Sequence, residues 1–309
     1  MRLAFLGTPD VAVPALEALI TADDVEIAVV ITNPDRSRGR RGTPVPPPVK
    51  QAARAAGLPV WQPAKPREIV AELRALDLDA AAVVAYGALL PADVLAAVRL
   101  GFVNLHFSLL PRWRGAAPVQ HAIRAGDATT GVTTFVLDEG MDTGPVLDHE
   151  EVAIGEDESA GSLLDRLATV GAPVLLRSLR SLVAGASPEP QPAEGATLAP
   201  KITPTDVAID FGASAEEVDR LVRSADPAPG AHTTFRGKRL KVFRAVPTSG
   251  DGPPGALLEA SSAGPVVACG HGAVRLEVLQ PEGKARMDGA AFVNGYQPRV
   301  DEVLGGDPR

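Results

Sequence analysis

The sequence contains one cysteine, Cys269, among 309 residues. That excludes a disulfide framework and a cysteine-built zinc cluster, and Cys269 itself is expected to be a small buried apolar residue. Aromatic residues are scarce, at 4%, so the core must be assembled from Ala, Val and Leu. No apolar run approaches the roughly 18 residues that span a bilayer. The opening MRLAFLGTPD lacks the basic segment, long apolar stretch and small-residue cleavage site of a secretory signal. A cytoplasmic location with no membrane partner is expected. After the first apolar run, Gly7-Thr8-Pro9-Asp10 has no three-glycine fingerprint and carries a proline where the backbone would have to approach a pyrophosphate. With no phosphate-binding G-K-S/T loop either, a nicotinamide dehydrogenase and a P-loop enzyme are both disfavoured. Positive charge is also short, with 30 Lys and Arg against 38 Asp and Glu and a net charge of −8. This excludes a surface that is basic throughout, but not a local basic patch.

Glycine and proline, in contrast, are plentiful, at 30 and 29 residues, with no three-residue glycine period and hence no collagen-like helix. The first part of the chain alternates short apolar runs with helical spacing, the pattern of a parallel sheet covered by helices. Strands are expected at Leu3–Leu6, Glu26–Thr32, Asp79–Tyr86, Phe102–Phe107, Val132–Leu137 and Val146–Ile154. Ala160–Ala184 reads as one long helix, with Pro173 near a potential break. The stretch from Gly185 to Pro204 is dense in Pro, Gly, Ser and Ala and reads as a linker. Short glycine-separated strands follow, which suggests a small β-barrel. The expected architecture is therefore α/β: a Rossmann-like domain over residues 1–185, a linker over 186–205, and an OB-like β-barrel over 206–309.

Ligands of open parallel sheets bind beyond the carboxyl ends of the strands. That rule singles out the segment that follows Phe102–Phe107. Asn104 and His106 are two apart, so a strand places both on one face, and an amide donor beside an imidazole suits a developing oxyanion. Taken alone, such a triplet is also consistent with strand capping. Asp138, Glu139 and Asp142 lie in a turn between two strands, and a carboxylate near an imidazole orients it or moves a proton. Spacing does not choose among the three. No metal site is expected.

The run N-L-H-F-S-L-L-P-R-W-R-G-A-A-P-V-Q from Asn104, with G-M-D-T-G after it, closely resembles the methionyl-tRNA formyltransferases. So do F-L-G-T-P-D-V-A-V-P, T-N-P-D-R-S-R-G-R, P-P-P-V-K and V-A-Y-G-A-L-L-P, and more weakly K-I-T-P-T-D-V-A-I-D-F at Lys201–Phe211. The resemblance implies formyl transfer from 10-formyltetrahydrofolate to the α-amino group of methionine on initiator Met-tRNA. It implies a catalytic trio of Asn104, His106 and Asp142, so that Asp142 is preferred over Asp138 and Glu139. It also implies folate binding around Ser108, Leu109, Leu110 and Pro111. Arg36, Arg38, Arg40 and Arg41 fall in a loop with four arginines in seven residues, a composition suited to phosphate oxygens, and the resemblance makes them tRNA contacts. Lys238, Arg239 and Lys241 are expected to add contacts from the second domain. A monomer is expected. The alternative is a folate-dependent N-formyltransferase acting on a nucleotide-linked amino sugar, which would share the trio but has no use for the arginine cluster.

Overall fold

The computed structural model describes residues 1–37, 43–300 and 302–305. Arg38, Arg40 and Arg41 lie outside the described residues. The chain divides into two compact units, one made of Met1–Pro118, Thr129–Ala153 and Leu164–Ala199 and the other of Val119–Ala128, Ile154–Leu163 and the residues from Pro200 onward.

From the N-terminus to Val183 the elements are β1 (Arg2–Gly7), α1 (Val13–Ile20), β2 (Glu26–Ile31), the two-residue strands β3 (Arg36–Ser37) and β4 (Pro44–Val45), α2 (Pro48–Ala55), β5 (Val60–Trp61), α3 (Val70–Ala75), β6 (Ala80–Val84), α4 (Ala92–Leu95), β7 (Phe102–His106), α5 (Pro118–Ala125), β8 (Thr129–Val136), β9 (Val146–Ala153) and α6 (Ala160–Val183). Seven strands form one sheet in the order β5-β2-β1-β6-β7-β8-β9. The central strand β1 is apolar and buried after Arg2, and all five residues of β6 are apolar and buried, as for strands covered on both faces. The pairings β2–β1, β1–β6 and β6–β7 are parallel, whereas β7–β8 and β8–β9 are antiparallel. The expected parallel sheet is thus mostly parallel, with two antiparallel strands at one edge. For β8–β9 the physical reason is connection length: the turn between Val136 and Val146 is too short for a parallel crossover, which needs about a dozen residues or more.

α6 is one long helix, as expected, and Pro173 lies inside it without breaking it; packing of an apolar face outweighs the missing hydrogen bond of one proline. The segment 186–199, read as a linker, has no helix but is not free chain. Glu189 exchanges two backbone hydrogen bonds with Val146, at 2.7 and 2.8 Å. The Arg114 N–H donates to the Thr197 carbonyl at 2.9 Å, and the Ala199 N–H to the Arg114 carbonyl at 2.7 Å.

The second unit contains α7 (Ala215–Ala225), strands β10 (Ala231–Phe235), β11 (Lys238–Thr248), β12 (Leu257–Ser261), β13 (Gly264–Ala268), β14 (Ala273–Pro281) and β15 (Met287–Asp288), and α8 (Gly289–Tyr296). Ser214 caps α7: its hydroxyl accepts from the Glu217 N–H at 3.2 Å, while the Glu217 carboxylate accepts from the Ser214 N–H at 2.9 Å, a reciprocal capping box. The antiparallel sheet runs β10-β11-β14-β13-β12 with β15 on β14. The two ends of that order are bridged by the C-terminal residues. The Leu257 N–H donates to the Glu302 carbonyl at 2.8 Å, and the Gly305 N–H to the Thr234 carbonyl at 2.9 Å. The barrel-like curl is therefore completed by irregular chain, which gives the edge strands partners. Cys269 is buried in this core, where burial pushes its thiol up to about 11. The helix α8 was not anticipated; its short GAAFVNGY segment is buried through Phe292, stacked on Tyr296 at 4.9 Å between ring centres.

Gly131 in β8 has no room for a side chain, since a Cβ there would overlap the Glu150 carbonyl oxygen and lie 2.6 Å from Leu109. Backbone cannot yield as a side chain can. Gly131→Ala is expected to lower the unfolding free energy by about 1–3 kcal/mol, read from denaturant midpoints.

Candidate active site

Strand β7 ends beside the turn that the sequence singles out. Asn104 and His106 lie on one face of it; His106 is buried, at 6% exposure, and Asn104 is half-buried. Across the antiparallel pairing, Phe135 opposes Asn104 and Thr133 opposes His106. The Phe135 ring meets the imidazole edge-on, with centroids 6.4 Å apart. No hydrogen bond engages the Asn104 side-chain amide among the described residues, so its N–H donors are available to a ligand.

The imidazole is held from two sides. Its Nε2 lies 2.9 Å from the Trp113 carbonyl oxygen, which can only accept, so Nε2 carries a proton. Its Nδ1 then faces the Asp142 carboxylate at 3.8 Å. That distance is longer than a direct hydrogen bond, yet short enough for strong attraction once Nδ1 is protonated. Both neighbours have unusual backbones: Trp113 has φ +62° and Asp142 φ +53°, left-handed conformations that cost a bulky or acidic residue free energy. The Asp142 carboxylate also accepts the Gly115 N–H at 2.7 Å. Gly115 has φ +123°, and a Cβ there would stand 2.7 Å from the Ala199 carbonyl oxygen, so only glycine allows this approach. The other two acids of the turn have different work. Asp138 closes the turn by accepting from the Gly140 N–H at 3.0 Å and the Thr143 hydroxyl at 2.8 Å, and Glu139 is exposed.

Ser108, Leu109, Leu110 and Pro111 form the bend that follows β7. Ser108 is fully buried, and its hydroxyl donates to the Arg112 carbonyl at 2.6 Å, so its side chain shapes the bend from within. Thr133 secures the same bend: its hydroxyl donates to the Ser108 carbonyl at 2.7 Å and accepts from the Leu110 N–H at 3.0 Å. Leu109, Leu110 and Pro111 are half-exposed and give the bend an apolar edge. The ends of β1, β2 and β6 are tied together nearby in the sheet order. The Asn33 amide donates to the Thr8 hydroxyl at 3.1 Å and to the Tyr86 carbonyl at 2.7 Å.

Sequence reasoning missed Thr133, Gly115 and Gln191. The Gln191 amide donates to the carbonyls of Asp142 and Gly144. Its one signal was a polar amide in a proline-rich stretch, which identifies no partner. Of the predicted basic residues, Arg36 is exposed. It follows Asp35, whose carboxylate takes the buried Lys50 ammonium at 2.7 and 2.8 Å; that hydrogen bond is the main reason the Asp35 carboxyl is held below its usual range. Lys238 and Arg239 are exposed on β11, but Lys241 is half-buried and its ammonium donates to the Pro229 carbonyl at 2.8 Å. Among the described residues, no group of three or more His, Cys, Asp or Glu is placed to hold a metal ion, and no helix is long and apolar enough to cross a membrane.

Burial is the dominant influence on His106 and lowers its pKa, against the opposing pull of the Asp142 charge and the Trp113 carbonyl. The unfolded chain therefore takes up a proton first as pH falls. Stability contributed by neutral His106 is present above the ordinary histidine value of ~6.5 and is lost as pH drops through it toward the lower folded value. His106→Gln removes this component. Its unfolding free energy between pH 7 and 5 should fall less steeply than that of the unaltered chain, by up to about 1.4 kcal/mol per pH unit. Equal slopes in chemical denaturation would show that His106 titrates alike in both states.

The formyl transferase family pattern matches residues 1–179, and the pattern for the formyl transferase C-terminal domain matches 201–297. A methionyl-tRNA formyltransferase of Streptomyces griseus is 48% identical over 310 aligned residues, covering 99% of this chain and 100% of that one. Among solved structures, HypX from Aquifex aeolicus in complex with tetrahydrofolic acid aligns with a TM-score of 0.69 at 19% identity, over 98% of this chain and 48% of that one. The N-formyltransferase of Helicobacter canadensis, in complex with folinic acid and dTDP-3-aminofucose, aligns with a TM-score of 0.66 at 16% identity, over 89% of this chain and 99% of that one. At such identities the two structures show a shared fold alone. Identity of 48% along the whole chain, together with both family patterns, shows more: the chain belongs to the methionyl-tRNA formyltransferase family.

Proposed function

We propose that this chain transfers a formyl group from 10-formyltetrahydrofolate to the α-amino group of methionine on initiator Met-tRNA, acting as a cytoplasmic monomer. The observation that carries this reading is the 48% identity to a methionyl-tRNA formyltransferase across both units. The reading as an amino-sugar formyltransferase has a relative of like fold at only 16% identity. The arrangement of His106 between Trp113 and Asp142, with an available Asn104 amide on the same strand face, supplies chemistry that suits acyl transfer.

The half-exposed edge of Leu109, Leu110 and Pro111 fits a flat heterocycle, which favours apolar walls with a few fixed polar groups. Ser108 serves that edge by shaping the bend. The folate supplies the formyl group on its N10 nitrogen. A neutral amine is the attacking group, and an α-amino group with an ordinary pKa near ~8 is partly neutral at physiological pH. Asn104 donates its amide N–H to the formyl oxygen as that oxygen gains charge. The new bond joins the amine nitrogen to the formyl carbon, the bond to N10 breaks, and N10 receives a proton in place of the one the amine loses. His106 and Asp142 handle that proton: Asp142 favours the protonated imidazole, and the imidazole returns the proton. All three groups come from one unit, so a single chain suffices.

Arg36, Arg38, Arg40 and Arg41 suit the phosphates of the tRNA, with Lys50 and Gln62 holding Asp35, the residue before Arg36. Lys238 and Arg239 offer exposed charge from the second unit. Lys241 contributes charge there while its ammonium remains on the Pro229 carbonyl.

The deciding experiment offers initiator and elongator Met-tRNA with 10-formyltetrahydrofolate. Formylation of the initiator species alone is expected, and absence of product would sink the reading. Asn104→Ala or His106→Ala should reduce turnover by about 10²–10³, the usual cost of losing an oxyanion donor or a proton carrier; near-full rates in folded protein would remove the assignment. Binding of tRNA should weaken with salt, and Arg36→Ala should reduce the magnitude of the slope of log K against log salt by about 1. An unchanged slope would take Arg36 out of the interface.

A further inference from the structure

The segment 186–199 lies on both loops that hold the imidazole. Thr197 accepts the Trp113 N–H on its hydroxyl at 2.9 Å and the Arg114 N–H on its carbonyl at 2.9 Å. Glu189 pairs with Val146 directly after the Asp142 turn. Between these two anchor points stands Gln191. Its Oε1 accepts from Arg114 Nε at 3.1 Å and from Arg114 Nη2 at 2.7 Å. Its Nε2 donates to the Asp142 carbonyl at 2.9 Å and to the Gly144 carbonyl at 2.7 Å. A primary amide has two N–H donors and two acceptor lone pairs, and all four are used. One side chain thus joins the Trp113–Gly115 bend to the Asp142 turn.

We propose that Gln191 is a positioning residue for the formyl transfer: its amide fixes the Asp142 turn against the Arg114 bend and so sets the Asp142 carboxylate toward His106. This rests on the functional reading above. Asp142 holds a left-handed backbone conformation, which costs of order 1–3 kcal/mol and persists only where neighbours over-determine it. Asp138 closes only its own side of the turn, through Gly140 and Thr143. The carbonyls of Asp142 and Gly144 are held by Gln191, and the Asp142 carboxylate by the Gly115 N–H, which belongs to the bend that Gln191 grips through Arg114. Loss of the amide frees the turn while Glu189, Thr197 and Ala199 keep the segment in place through their backbones. The effect expected is misplacement of one carboxylate, not detachment of the strap.

Two variants test this. Gln191→Ala removes the amide. Gln191→Glu keeps the shape and the Arg114 partner but sets a carboxylate oxygen against two carbonyl oxygens. In a chain whose unaltered form formylates initiator Met-tRNA, both should lose about 10- to 100-fold in kcat, the scale of a misplaced catalytic group, with KM for either substrate unchanged. Amide hydrogen exchange of residues 138–145 should rise in both, without substrate present. In an Asp142→Asn background, followed by single-turnover kinetics, Gln191→Ala should add little, because residues that act through one another are non-additive. The proposal is overturned if kcat of folded Gln191→Glu stays near that of the unaltered chain, if the loss appears in KM alone, or if the two substitutions multiply. An unaltered chain that forms no product would instead defeat the functional reading, and exchange in the 138–145 turn would still report whether Gln191 holds it.

Discussion

A buried imidazole keeps one orientation only when each ring nitrogen has a fixed neighbour, and His106 meets that requirement through Trp113 and Asp142. Its Nε2 is committed to a backbone carbonyl at 2.9 Å, which leaves Nδ1 to the carboxylate at 3.8 Å. Neither neighbour is a low-energy local choice for the chain. Both sit in left-handed backbone conformations that the surrounding hydrogen bonds must sustain. Much of the first unit can be understood as the support for those two residues.

That support comes from three places in the sequence. The sheet supplies the platform, with β7 between β6 and β8, so His106 emerges where a parallel sheet gives way to antiparallel strands. Thr133, directly opposite His106, reaches across to hold the Ser108–Leu110 bend. The segment 186–199 returns from α6 and lies against both the Trp113 bend and the Asp142 turn. Gly131 and Gly115 are glycines for the same reason: backbone from another strand or segment passes where a Cβ would be. These close approaches connect the apolar edge of Leu109–Pro111 to the polar groups beside it.

The electrostatics follow from the same burial. Desolvation favours the neutral imidazole, and the Asp142 charge opposes it. A group held between two opposed influences changes protonation for a modest change in surroundings. Arrival of a ligand that adds charge next to His106 is such a change, which suits the proton-carrying role proposed for it.

Much of the fold was legible in the sequence because its signals are local. The apolar runs of β1, β2, β6 and β7 and the helical spacing of α6 are consequences of backbone period and side-chain burial. The N-L-H and M-D-T-G segments, once set beside a family, identified Asn104, His106 and Asp142 as one group. The sequence determined which residues are present at the strand end and which backbone bends they favour. Only the tertiary structure decided that β8 runs antiparallel to β7, that irregular chain at 302–305 bridges the ends of the second sheet, and that a proline-rich stretch is a strap. Those outcomes depend on pairings between residues far apart in the chain. The Gln191 amide meets Asp142 across 49 positions, and no periodicity or composition encodes a contact of that range. Gln191, which a sequence reader would assign to a linker, acquires its role solely from what the fold places next to it.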